Sequence, residues 1–282
     1  MIKFGPSGNS EAFHNAGYTD SIYSAKWVKD LGLDCFEYSF GRGVNISEKK
    51  AIEIGESFSK EGIEISVHAP YFINFAGFDE DKVNNSYNYV LSSIKMGKLM
   101  GAKRVVFHPA AQGKHTREKA VALTEERLKI LADKIYQNGY EDMLICPETM
   151  GKSAQIGTTE EIAKFCAIAP FFYPCVDFGH INAREQGSLK TTEDYIKNIE
   201  ILENVIGYEK VKNMHVHFSK IMYGAKGEIK HLTFEDAEYG PEFSPLADAI
   251  KIKKLEPYIV SESAGTQDID AKYMKARFFN NF

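Results

Sequence analysis

The chain has no run of about 18 apolar residues, the length a helix needs to cross a bilayer core, so no membrane span is expected. It has no CxxC pair. Its four cysteines, Cys35, Cys146, Cys166 and Cys175, stand apart and mostly inside apolar runs. Reduced core thiols fit that spacing better than a disulfide framework, and they imply an intracellular setting. The opening MIKFGPSGNS carries one lysine and no long apolar core, so it does not read as a secretory signal, and a cytoplasmic location is expected. Basic excess is also missing: 34 Lys and Arg against 39 Asp and Glu leave a net charge of −5. That excludes a polymer binder working by bulk positive charge, though a local metal cluster or basic rim can outweigh it. No Gly-rich phosphate loop follows the first apolar run, which disfavours a doubly wound nucleotide-binding sheet. No linker, low-complexity tract or short-period repeat interrupts the chain, so residues 1–282 are read as one domain.

What is present is alternation. Short β-rich runs at 2–5, 35–40, 64–69, 104–109, 143–148, 172–178, 213–218 and 257–262 are separated by longer amphipathic stretches. Ser47 and Thr158 fit helix N-caps, the latter with Glu161 three residues on, and Gly62, Gly101 and Gly139 fit helix C-termini. Eight such units in 282 residues predict an α/β fold, a single-domain (β/α)8 TIM barrel.

A barrel of this kind gathers its active site at the C-terminal ends of its strands. Those ends carry His68, His108, Glu148, Asp177 with His180, His215 with His217, and Glu262. Crowded imidazoles and carboxylates repel or go unpaired on burial, and a divalent cation removes that penalty. The mixture of nitrogen and oxygen donors suits zinc or manganese better than calcium or magnesium. There are too many donors for one tetrahedral ion, so two or three ions with a bridging carboxylate are expected. Such a cluster favours phosphoester hydrolysis. The loop after the third strand, HAPYFINFA, places Tyr71 and Phe72 side by side, where a plain turn would favour Gly, Asn, Asp or Ser.

These segments resemble the endonuclease IV family of apurinic/apyrimidinic endonucleases, within the wider group of xylose-isomerase-like barrels. The likeness runs from the first strand to the last. It rests on HAPYFINFA, FHPA, PETMG, CVDFGH and NMHVHFSK. The resemblance implies three zinc ions: His68 and His108 on the first, Glu148 bridging to the second, Asp177, His215 and Glu262 completing it, and His180 with His231 on the third. The family has Asp-x-His in the last segment, whereas this chain reads EIKHL, with Ile229 in the Asp position and Glu228 one residue away. GPSGNS lacks the histidine of the family's opening motif, and His217 replaces an Asn. His217 is expected to serve as an extra ligand, as a substrate contact or as a plain structural residue.

By the same resemblance the chain is expected to be a monomer that hydrolyses the phosphodiester 5′ to abasic sites in damaged double-stranded DNA, by a di- or tri-metal hydroxide mechanism. Glu148 and Glu262 would act at the reacting centre. Tyr71 and Phe72 would wedge the duplex, and Arg42 would contact DNA. The alternative is a metal-dependent sugar isomerase or epimerase using Glu148, Asp177, His215 and Glu262 around one ion, with Glu148 and Glu262 moving protons on a small sugar. A lesion binder that has lost turnover is a third reading. The loop EDAEYGPEF, with four carboxylates, would repel a duplex.

Overall fold

The structure is a computed structural model describing residues 1–280. Eight parallel strands form the barrel: β1 Lys3–Pro6, β2 Cys35–Ser39, β3 Glu64–His68, β4 Arg104–Phe107, β5 Leu144–Pro147, β6 Cys175–Asp177, β7 His215–Phe218 and β8 Tyr258–Ser261. They pair in two four-stranded runs, β1-β8-β7-β6 and β2-β3-β4-β5. Parallel bridges Ser7↔Glu37 and Glu148↔Cys175 join the runs and close the barrel. The expected (β/α)8 fold is therefore the observed one. The sixth strand is shorter than its apolar run, because Asp177 caps a helix, Phe178–Arg184, that starts directly behind it.

The helices begin and end where local chemistry directs. Ser47 Oγ accepts from Lys50 N at the start of Glu48–Glu61, and Gly62 closes that helix in the left-handed region at φ 70°. Thr158 and Glu161 form a capping box on Thr159–Cys166. The last helix, Gln267–Phe279, buries Ala271 and Met274 and brings Phe278 to 5.7 Å from Phe4 of β1. Phe278 and Phe279, near the C-terminal end, thus pack against β1. Asn281 and Phe282 lie outside the described residues.

Two excursions shape the barrel mouth. A short ribbon pairs Ala110–Ala111 with Gln155–Ile156. A hairpin pairs Ile221–Gly224 with Gly227–His231. The hairpin is bulged: Met222 pairs Lys230 and Tyr223 pairs Glu228, so Ile229 is the extra residue. No described helix is long and apolar enough to cross a membrane.

Candidate metal centre

Glu148 follows β5 and is fully buried at the centre of the mouth. Its Oε2 lies 3.2 Å from His68 Nε2 and 3.1 Å from His108 Nε2. Its Oε1 lies 3.2 Å from His217 Nδ1 and 3.3 Å from His180 Nδ1. Burial works against its charge, yet these imidazoles, His217 and His108 foremost, hold the carboxyl well below the usual carboxylate range.

Three adjoining groups of donors result, each with its atoms within 4.8 Å of one another: His68, His108 and Glu148; Glu148, Asp177, His217 and Glu262; and His180, Glu228 and His231. Glu148 belongs to two of them, as a bridging carboxylate would. Imidazole and carboxylate donors suit zinc or manganese. Asp177 supplies independent support for that fit. Its Oδ1 accepts from His180 N at 2.7 Å as a helix cap, while Oδ2 is buried with no hydrogen-bond partner among the described residues. An orphaned carboxylate oxygen is costly to bury, and burial pushes this carboxyl up.

The second group contains His217, not His215. Both lie on β7 and face the barrel interior, but His217 is nearer the mouth. His215 sits one layer deeper, stacked on Tyr258 at 5.1 Å and 3.1 Å from Glu37 Oε2. Burial presses its imidazole down to about 4, leaving it neutral. His215 also falls in a deeper group with Cys175 and His217.

The bulge explains the third group. In a regular strand, residues 228 and 231 would face opposite ways. Absorbing Ile229 restores the phase, so Glu228 and His231 face the same side while Ile229 is 58% exposed. Glu228 Oε2 lies 3.5 Å from His180 Nε2, and its Oε1 lies 4.0 Å from His231 Nε2. Glycine is required beneath this carboxylate. A Cβ on Gly151 would meet Glu228 Cβ at 2.7 Å, and a Cβ on Gly227 would meet the Gly151 carbonyl oxygen at 2.1 Å.

Most of the imidazoles are oriented from behind. His68 Nδ1 faces the Ala69 carbonyl at 2.8 Å, His180 Nδ1 the Thr149 carbonyl at 2.9 Å, and His231 Nδ1 the Ser219 hydroxyl at 2.9 Å. A ring nitrogen facing a carbonyl carries its proton there, which leaves Nε2 as the free donor.

The cavity above these groups is about 500 Å³ and is lined by His68, Tyr71, His108, Lys152, Glu228 and Glu262, among others. Tyr71, which lines it, is 54% exposed, and the adjoining Phe72 is 58% exposed. The Tyr71 ring lies 5.4 Å from His68 and 5.5 Å from His108. Arg42 is exposed and makes no ion pair among the described residues. Several other basic residues are engaged elsewhere. Arg104, at the opposite end of the barrel, donates to the Asn213 carbonyl. Arg117 pairs with Glu161. Lys220 is buried and pairs with Glu242 at 2.7 Å.

Glu37 is the residue that sequence reasoning missed. It is fully buried, with Oε1 2.9 Å from His217 Nε2. Its signal was an acid on the inward-facing positions of a strand otherwise apolar at 35 and 36.

Comparison with known proteins agrees with this architecture. An uncharacterized protein of Methanocaldococcus jannaschii is 34% identical over 86% of this chain and 87% of its own length. A protein named as a probable endonuclease 4, of Listeria monocytogenes, is 28% identical over 77% of this chain and 75% of its own. The crystal structure of a D-tagatose 3-epimerase-like protein matches with a TM-score of 0.74 at 18% identity, covering 99% of this chain and 98% of that one. A family profile described as Xylose isomerase-like TIM barrel matches residues 25–273. With its fold, its clustered metal donors and nearly its whole length in agreement, the chain belongs to the xylose isomerase-like TIM barrel family of enzymes.

Proposed function

We propose that the protein is a metal-dependent phosphodiesterase that cleaves damaged double-stranded DNA at abasic sites. The observation that carries this reading is the surplus of donors. His68, His108, His180, Glu228 and His231 lie beyond the four that a one-ion sugar enzyme uses, and they fall into two further groups. Divalent ions held there would supply Lewis acidity toward a phosphoryl oxygen and an attacking water. The chain's own residues do the rest. Glu148 holds the three groups in register. Glu262 is a partly exposed carboxylate, with Ser7 Oγ at 3.4 Å from Oε1, and it takes the proton released at the cavity. Exposed Tyr71 and Phe72 stack in the gap left by a missing base, where unstacking is cheapest. Arg42 contacts the backbone. The test is incubation of metal-loaded protein with a duplex carrying one abasic site, beside undamaged duplex and a chelated sample. Lesion-specific incision is expected, and intact DNA at two or more ions per chain would sink the proposal.

The second reading is epimerisation of a small sugar on the Glu148–Asp177–His217–Glu262 group. One observation favours it in particular: Glu148 and Glu262 approach the same imidazole nitrogen, His217 Nδ1, at 3.2 and 3.5 Å. That brings two carboxylates together, as proton transfer on one carbon requires. The likeness to the epimerase-like structure and the net charge of −5 lean the same way. Fold does not decide chemistry, and hydrolysis is proposed first on the surplus of donors alone. Turnover of ketoses without incision would reverse that order.

A further inference from the structure

His217 differs from the other candidate ligands in one respect. His68, His108 and His231 turn Nε2 toward their groups, whereas His217 turns Nδ1 toward Glu148 and Glu262. Its Nε2 therefore needs the partner that Nδ1 has in His68, His180 and His231. No carbonyl or hydroxyl takes that place. Glu37 does, with Oε1 at 2.9 Å, and its other oxygen stands 3.1 Å from His215 Nε2. Neither imidazole N–H is aimed straight at its oxygen, since neither nitrogen completes an aligned hydrogen bond. The contacts still decide the proton's place. His217 Nδ1 faces Glu148 Oε1 at 3.2 Å, within hydrogen-bond reach, so it gives up its proton only where an ion takes that side; the proton then sits on Nε2, facing Glu37 at 2.9 Å.

We propose that Glu37 is the positioning residue for His217: one buried carboxylate orients two stacked layers of histidine and leaves the His217 Nδ1 lone pair free for the ion of the second group. Ser66 Oγ donates to Glu37 Oε2 at 3.0 Å, and Ser7 Oγ approaches Oε1 at 3.5 Å. Both hold the carboxylate in place. A carboxylate behind an imidazole raises its basicity as a ligand, and loss of such a partner typically costs about 10- to 100-fold in metal affinity. The inference rests on reading Glu148, Asp177, His217 and Glu262 as an ion site, and it holds equally for hydrolysis and for epimerisation.

The test is cobalt(II) titration of metal-stripped protein, followed by visible absorption and equilibrium dialysis, for wild type, Glu37→Gln and Ser66→Ala. NMR of 15N-histidine-labelled zinc-loaded protein reports the Nε2–H of His217. Glu37→Gln is expected to weaken one binding step about 10- to 100-fold, to leave the other steps unchanged, and to shift the His217 Nε2–H resonance. A residue that served packing alone would lower thermal stability and leave every binding step unmoved. Should Glu37→Gln fail to fold, Ser66→Ala carries the test, with a several-fold loss at the same step expected. Wild-type affinity in every step for the folded variants overturns the proposal. Wild-type protein that binds no cobalt overturns the ion site itself, and the role of Glu37 with it.

Discussion

Gly151 and Glu228 touch backbone to side chain: a Cβ added at Gly151 would stand 2.7 Å from Glu228 Cβ and 2.9 Å from its Oε2. Gly151→Ala is therefore expected to push Glu228 away from His180 and His231. Metal analysis of the loaded variant should show one ion fewer per chain, matching Glu228→Ala. An unchanged ion count for both variants would remove Glu228 from the centre.

Glu148→Gln removes the bridging carboxylate and leaves four imidazoles around an amide. Activity on whichever substrate the protein turns over is expected to fall by more than about 100-fold, because the loss is of a direct donor rather than of its supporting partner. Retention of both ion content and turnover would show that Glu148 is only a structural hub.

Chelation should lower the thermal midpoint, since ions bind the folded cluster and not the unfolded chain. At free metal about 100 times the dissociation constant, one site contributes about 2.7 kcal/mol. In a domain this large that is on the order of 5 °C. Melting curves of stripped and reloaded protein measure it directly, and identical midpoints would count against tight binding.

Phe72 is 58% exposed, its ring 6.5 Å from that of Tyr89. Phe72→Ala should leave stability within about 0.5 kcal/mol. It should weaken binding of a lesion duplex by about 1–3 kcal/mol, the usual worth of a base stacked on an aromatic ring. If incision kinetics are unmoved, the wedge assigned to this loop is wrong.

All four cysteines are buried and unpaired. Burial pushes each thiol up, Cys146 to about 12. A thiol reagent at pH 8 should therefore find none in the native protein and four in denaturant, and fast native labelling would contradict the packing.

The barrel was legible because alternation of strand and helix is written in hydrophobic period, as are caps such as Ser47 and Thr158. The placing of imidazoles and carboxylates at strand ends was legible for the same reason. Which of His215 and His217 stands nearer the mouth was not. Both residues share the inward face of β7, and period tells the face but not the depth. Depth follows from how neighbouring strands are staggered, which is a tertiary property: β7 pairs His217 with Asp177 and with Val260. Glu37 was hidden by the same limit, since its partners lie on β7 and β3, far along the chain. Hydrolysis against epimerisation was not legible either, because both chemistries use the same strand ends.

The extra residue in the 227–231 strand bears on how such a centre tolerates changes in chain length. A motif is usually recognised by counting residues between donors, yet here the count is off by one and the donors still converge. The bulge at Ile229 absorbs the insertion locally, while the Glu228 N–H to Gly151 carbonyl and Leu232 N–H to Lys220 carbonyl bonds anchor the strand on both sides. Spacing in sequence and spacing in space are thereby uncoupled at this edge of the barrel. Deleting Ile229 would return Glu228 and His231 to ordinary alternation on one face, so this strand can gain or lose a residue between the two and still present both on the same side.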